Sequence, residues 1–223
     1  MSKKLLFAAI FKFLLGVLLV GTLIFLPAGT IYYPQGWLFM GILFIPMFVA
    51  GLVLMALNPE LLKKRLNAKE KQVEQNIIIK LSGLMFILGF VIAGLDFRFQ
   101  WIRLPDWVSP VFAIVFLLSY LLYAEVLREN TYLSRTIEVQ DGQKVIDTGL
   151  YGIVRHPMYS ATIILFLSMP LVLGSILSFV CFLAYPFIIA KRIHSEEAFL
   201  EAELEGYIAY KQKVPYRLLP FVW

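Results

Sequence analysis

The chain has 223 residues, 60% of them hydrophobic and only 16% charged, with 20 Lys and Arg against 15 Asp and Glu. A soluble domain carries nearer a quarter charged residues. A mean hydropathy of +0.80, with several runs near the roughly 20 apolar residues that cross a bilayer, marks an integral membrane protein. The net charge of +5 is no nucleic-acid signal, because the basic residues sit between apolar runs, and the single cysteine, Cys181, excludes an internal disulfide and a cysteine-based metal site.

The first apolar run, residues 5–26, is predicted to be a retained first span, with Lys12 near enough to one end to snorkel. The link 27–36 is uncharged and rich in turn formers, Pro27, Gly29, Pro34 and Gly36. Trp37 then opens the second run, 37–57, as an interfacial aromatic does. Residues 58–76 carry Lys63, Lys64, Arg65, Lys69 and Lys71. Leu61, Leu62, Leu66 and Val73 fit one apolar stripe of a surface helix, which suits either a contact with lipid head groups or an ordinary loop. The third run is 77–95, with Lys80 near its start. A short loop, 96–107, holds two acids, two arginines, Trp101 and Trp107, and the fourth run is 108–127. The longest polar stretch follows, 128–156, with Asn130, Tyr132, Ser134 and Arg135. Within it a β-prone piece, 136–139, and a turn at Asp141-Gly142 predict a small hairpin with residues 145–148.

From 160 to 190 the chain is apolar without one charge. As a single helix this would span about 46 Å, well over the roughly 30 Å hydrocarbon core, and Pro170, Gly174 and Ser175 sit near its middle. Most Lys and Arg lie before the first run, in 58–76, in 128–156 and after 190. The positive-inside rule therefore places those segments and both termini in the cytoplasm, and the long run has to enter and return. The expectation is a helical hairpin turning near Gly174, with legs 157–173 and 175–194. The expected fold is all-α and integral to the membrane, with about six transmembrane helices, the last two a tight hairpin, under a small cytoplasmic cofactor-binding cap. Residues 1–127 would form four N-terminal spans and residues 128–223 the functional region.

Chemistry concentrates at the start of the hairpin, from Gly149 to Tyr159. Arg155 keeps its charge and offers several donors to an anion. His156 donates or accepts near neutral pH, and Pro157 suits the first turn of a helix. A helix start also presents N–H groups and positive dipole to an anion. The same residues equally suit a plain interfacial anchor. From the end of the second leg onward stand Arg192, His194, Glu196, Glu197 and Leu200, then Glu201, Glu203, Glu205, Tyr207 and Tyr210. As a bare charge run this reads as a solvated amphipathic helix.

Together the clusters are more specific. Arg155-His156-Pro157-x-Tyr159, the apolar hairpin, Arg192-x-x-x-Glu196-Glu197-x-x-Leu200 and Tyr207-x-x-Tyr210-x-x-x-Val214-Pro215 resemble the isoprenylcysteine carboxyl methyltransferase family. That family belongs to a wider set of membrane methyltransferases that includes phospholipid N-methyltransferases. The resemblance covers about residues 130–223, and Leu150, Ala161 and Glu203-Leu204 depart from it. It implies S-adenosylmethionine as cofactor, held by Gly149, Tyr151, Arg155, His156, Tyr159, Glu196, Glu197, Tyr207 and Tyr210. It places Arg192 and Glu196 at the reaction, Arg192 orienting the acceptor. The implied reaction is methyl transfer to a lipid-like or isoprenyl-bearing substrate entering from the bilayer, with a carboxylate as the acceptor group. Three alternatives stand beside it: a phospholipid amine acceptor, an NADPH-dependent reductase of the membrane sterol type, which has a related Arg-His-Pro turn, and a non-catalytic membrane protein that kept the fold. Glu196 and Glu197 oppose the reductase, because a 2′-phosphate wants cations.

Overall fold

The computed structural model describes residues 3–66, 73–134 and 137–223, except the side chains of residues 3–5, 64 and 73–75. The first four apolar runs are the helices α1 (Lys3–Ala28), α2 (Pro34–Leu57), α4 (Val73–Phe99) and α5 (Val108–Glu129), with a short helix α3 (Pro59–Leu66) between the second and third. α1 stops where Gly29 adopts φ +69 and its amide turns back to the carbonyls of Phe25 and Leu26, both at 3.1 Å. Only glycine takes that left-handed conformation without penalty. α2 starts on Pro34, whose missing N–H costs nothing at a first helical position.

α3 carries part of the predicted apolar stripe. Leu61 and Leu62 are buried, the Asn58 side chain accepts from the Leu61 amide at 3.0 Å, and Lys12 Nζ donates to the Leu66 carbonyl at 2.6 Å. Lys69 and Lys71 lie outside the described residues.

The chain continues through a 3-10 turn (Gly149–Gly152) into α6 (Pro157–Val172), α7 (Ile176–Phe182), α8 (Ala184–Glu203) and α9 (Tyr207–Lys213). Gly174, with φ +76, lies between α6 and α7. Three other helices tie this turn down. Tyr33, just before α2, donates to the Leu173 carbonyl. Ser109 of α5 donates to the Val172 carbonyl at 2.6 Å. Ser175 donates to the Asp96 carboxylate of α4 at 2.6 Å while accepting from the Ser178 amide. The polar groups left over at the two helix ends are thus paired in an apolar setting, where an unpaired one would be costly.

The stretch after Gly174 is not one uninterrupted leg. It breaks at Leu183, because Pro186 has no N–H to bond the Phe182 carbonyl. Beyond the break α8 runs past His194 to Glu203, so the acidic stretch continues the same helix rather than forming a separate surface helix. Among the described residues, α1, α2, α4, α5 and the stretch Ile176–Glu203 are long and apolar enough to cross a membrane, and α6 is shorter at 16 residues. The protein is therefore a multi-pass helical membrane protein.

No strand is present among the described residues, and the predicted hairpin around Asp141-Gly142 is not formed. The turn itself exists: Gly142 has φ +70 and the Gln143 amide donates to the Gln140 carbonyl at 2.9 Å. Val139 and Val145 instead pack against Leu204, Tyr207, Tyr210 and Val214. Burial against the C-terminal segment takes the place of a ladder. Arg135 and Thr136 lie outside the described residues.

Packing within the bundle relies on close approach. Rings of Phe86, Phe90 and Phe182 meet where α4 faces α7, and Phe166 of α6 joins them edge-on to Phe86. A Cβ on Gly89 would fall 2.2 Å from the Phe182 ring, and one on Gly94 would fall 2.4 Å from the Ile24 carbonyl oxygen. The second obstacle is backbone, so it cannot rotate away. Gly94→Val is expected to separate α1 from α4 at a cost of about 1–3 kcal/mol. Thermal unfolding in detergent checks this: the midpoint should fall, while Gly51→Val, a site with nothing within 4 Å, should leave it in place.

Candidate functional site

The site is assembled where the polar stretch after α5, the start of α6, the end of α8 and the C-terminal segment come together. Its first fixture is local. Gly149 has φ +54, and the Glu129 carboxylate at the end of α5 accepts the Leu150 amide with both oxygens, at 3.1 and 2.9 Å. A Cβ on Gly149 would collide with Glu129 Oε1 at 1.7 Å. This clasp sets the 3-10 turn and buries Tyr151, whose carbonyl accepts from the Tyr210 hydroxyl at 2.8 Å.

The second fixture is an ion cluster centred on Glu197, which is 2% exposed. Its Oε1 accepts from Arg155 Nε at 2.7 Å and lies 3.2 Å from His156 Nε2, and its Oε2 accepts from Arg217 Nε at 3.0 Å. Arg155 Nη1 donates to the carbonyls of Val214 and Pro215 at 2.7 and 2.8 Å. The backbone follows the same pattern. The Arg155 and His156 amides donate to the Tyr216 and Arg217 carbonyls, both at 2.9 Å, and Ser160 Oγ donates to the Leu218 carbonyl at 2.7 Å. The donors expected to hold a ligand anion at the start of α6 therefore hold the C-terminal segment. Arg155, His156 and Glu197 are brought together as the sequence motifs suggest, in contact with one another and with that segment; His156 also stacks on Tyr159, and Arg155 and His156 line the adjoining cleft.

Beside the cluster lies a cleft lined by Tyr151, Arg155, His156, Tyr159, Arg192, Glu196, Tyr207 and Tyr210, together with Asn130, Ser134 and residues 143–146. Tyr159 is its hinge point: its hydroxyl donates to Glu196 Oε2 and accepts from Arg192 Nε at 2.8 Å. One turn of α8 separates Arg192 from Glu196, so both point to the same side. The Tyr207 hydroxyl is buried in this wall and has no hydrogen-bond partner among the described residues, and its residue is only 4% exposed. Burial, and then the charges of Glu197 and Glu196, push the Tyr207 hydroxyl well above the usual tyrosine range. Burial does the same to Tyr151 and Tyr210. All three are therefore neutral phenols at physiological pH, with the Tyr210 proton already given to the Tyr151 carbonyl. Lys213 pairs with Asp147 at 2.6 Å and holds the Asp147 carboxyl below its ordinary range.

A second recess, an apolar groove, shares Ser134, Met158, Tyr159 and Arg192 with the cleft. It runs away from them between Ile78, Ile79 and Phe86 of α4 and Phe166, Tyr185 and Ile189 of α6 and α8. Tyr159 and Arg192 thus form a wall common to a polar cleft and an apolar groove.

Sequence reasoning missed Glu129, Arg217 and the contribution of α4. Glu129 adjoins Asn130 at the end of an apolar run, a weak signal. For Arg217 there was none, because its partner is 20 residues away on another helix.

The fold and site define a multi-pass helical membrane protein in which a buried ion cluster closes a polar cleft against an apolar groove. Residues 108–202 match the model of the isoprenylcysteine carboxyl methyltransferase (ICMT) family, which makes this segment methyltransferase-like. The match includes Gly149, Tyr151, Arg155, His156, Tyr159, Arg192, Glu196 and Glu197, while Tyr207 and Tyr210 lie beyond it. No curated protein is significantly similar to the chain.

Proposed function

We propose that the protein is an integral membrane S-adenosylmethionine-dependent methyltransferase that esterifies the carboxylate of a lipid-like or isoprenyl-bearing substrate. The observation that carries this reading is the meeting of a polar cleft and an apolar groove at one wall, Tyr159 and Arg192. A water-soluble donor and a lipid acceptor need such an arrangement, since each is stable in a different medium.

The cleft suits the cofactor. Its buried, unpartnered Tyr207 hydroxyl would donate to a ligand oxygen, a carboxylate or a ribose hydroxyl, and so lose the penalty of an unmade bond. The Tyr207 and Tyr210 rings lie 5.8 Å apart and offer faces to an adenine or to a cationic sulfur. Glu196 offers its carboxylate to the ammonium or the ribose. Arg155 and His156, which line the cleft, would face the cofactor's carboxylate, while Glu197 acts one step back, by holding them and the C-terminal segment in place.

When bound, S-adenosylmethionine supplies a methyl group that passes to the acceptor carboxylate with the S–C bonding pair remaining on sulfur, so that sulfonium and carboxylate become thioether and ester and no proton moves. The chain's task is then alignment and exclusion of water. Arg192 holds the acceptor carboxylate, Tyr159 fixes Arg192 and Glu196 relative to each other, and the apolar groove takes the chain of the substrate. A general base is unnecessary for a carboxylate acceptor, and the residues of the shared wall are charge holders rather than bases. The ion cluster and the cleft would face the cytoplasm, as the distribution of basic residues suggests.

The test is incubation of the purified protein in neutral detergent with S-adenosylmethionine labelled in its methyl group and a prenylthio carboxylic acid. Labelled product that releases methanol in mild base is expected, because esters hydrolyse and methylated amines do not. Base-stable label would move the acceptor to an amine. Absence of S-adenosylhomocysteine binding, with NADPH bound instead, would move the protein to the reductases.

A further inference from the structure

We infer that the apolar groove measures the chain of the acceptor, with the Phe86 ring of α4 as its stop, and accepts about two isoprene units beyond the shared wall. The inference rests on the methyltransferase reading and deepens its acceptor side only. Three of the helices that line the groove do so over matching lengths. α6 lines it from Tyr159 to Phe166, α8 from Arg192 back to Tyr185, and α4 from Ile78 to Phe86. One end is fixed where Arg192 Nε meets the Tyr159 hydroxyl at 2.8 Å. Tyr159 to Phe166 and Arg192 to Tyr185 are both steps of seven residues. Each is a rise of about 10 Å along its helix.

Ring packing closes the far end. The Phe86 and Phe166 rings meet edge-on with centres 4.8 Å apart, and Phe166 and Tyr185 do the same at 4.6 Å. Tyr185 is held by its hydroxyl, which donates to Thr162 Oγ1 at 3.1 Å. Behind Phe86 stand the rings of Phe90 and Phe182, at 5.9 and 5.4 Å and both buried. Phe182 in turn lies so close to Gly89 that a Cβ there would collide with its ring, so the layer is backed by close packing. One turn before Phe86, Gly83 lines the groove, and a Cβ on it would meet nothing within 4 Å among the described residues. That space belongs to the groove. An extended chain advances about 1.2 Å per bond, so about 10 Å holds roughly eight bonds, or about two isoprene units. Gly83 and Phe86 lie outside residues 108–202, the segment matched by the family model, so the stop is built by the N-terminal part of this chain.

The experiment uses the full chain in neutral detergent and prenylthio carboxylic acids that share one head and carry a dimethylallyl, geranyl, farnesyl or geranylgeranyl chain, each at the same mole fraction in the micelle. Equilibrium binding and initial rates are measured for the parent, Phe86→Ala and Gly83→Leu, beside binding of S-adenosylhomocysteine. In the parent, affinity is expected to rise about tenfold from dimethylallyl to geranyl and then to level off, because further units find no wall to bury against. Phe86→Ala should extend the rise to farnesyl, again by about tenfold. Gly83→Leu should place a side chain in the path and lower the geranyl-to-dimethylallyl ratio about tenfold. An affinity that keeps rising to geranylgeranyl in the parent overturns the proposal, as does a folded variant that ranks the acids in the parent's proportions. Retained S-adenosylhomocysteine binding shows that a variant is folded, and should one variant lose it, the other decides alone. Failure of the methyltransferase reading shows differently, as a parent that ranks the acids but neither binds S-adenosylhomocysteine nor transfers methyl to any of them.

Discussion

Glu197→Gln is expected to detach the C-terminal segment and to cost about 3–5 kcal/mol, the range for breaking a buried ion pair from one side. The magnitude follows from what is left behind. Arg155, with a side chain 3% exposed, would lose its counter-charge and have no access to water. Arg217 would lose the carboxylate that holds it at 3.0 Å. A glutamine keeps the shape and one acceptor oxygen but not the charge that both arginines share with His156. Hydrogen exchange reads the result directly. The Arg155 and His156 amides are protected by the Tyr216 and Arg217 carbonyls, so their exchange should accelerate together with that of Tyr210 and Val214. Unchanged exchange there, with an unchanged unfolding midpoint, would refute the structural role given to this carboxylate.

Arg192→Gln is expected to act in the opposite way, leaving the fold intact and lowering kcat about a hundredfold. Misplacement of a reacting group by about 1 Å costs this much, and Arg192 is the charged residue among the four that cleft and groove share. S-adenosylhomocysteine affinity should change little, because Tyr207, Tyr210 and Glu196 remain. Tyr159→Phe removes the hydroxyl that joins Arg192 to Glu196 yet leaves both charges, so a smaller loss, about tenfold, is expected. Steady-state rates with saturating cofactor, read beside binding of S-adenosylhomocysteine, separate the two. A variant that loses cofactor affinity in proportion to rate would place Arg192 on the cofactor instead.

The membrane-spanning character was legible because apolar runs of bilayer length need no partner to be recognised. So was the helix break at Gly174, where a glycine interrupts an uncharged stretch too long for one crossing. Gathering of the motif residues was legible as a pattern, but not what each one touches. Arg155 reads as an anion holder in any local window. Its actual acceptors, Glu197, Val214 and Pro215, are 42 to 60 positions away. The clasp of Glu129 on Leu150, across 21 positions, was invisible for the same reason. The supposed strands around Asp141-Gly142 show the other kind of miss. Val139 and Val145 have the side chains of a strand, and their preference for burial was met by Tyr207 and Val214, which no local rule brings to them.

The shared wall has a kinetic corollary. Among the described residues, cleft and groove share Ser134, Met158, Tyr159 and Arg192, so neither reactant need pass the other on its way in or out. Addition would then be random, each product competing with the reactant whose recess it vacates, and turnover would continue without either phase waiting on the other.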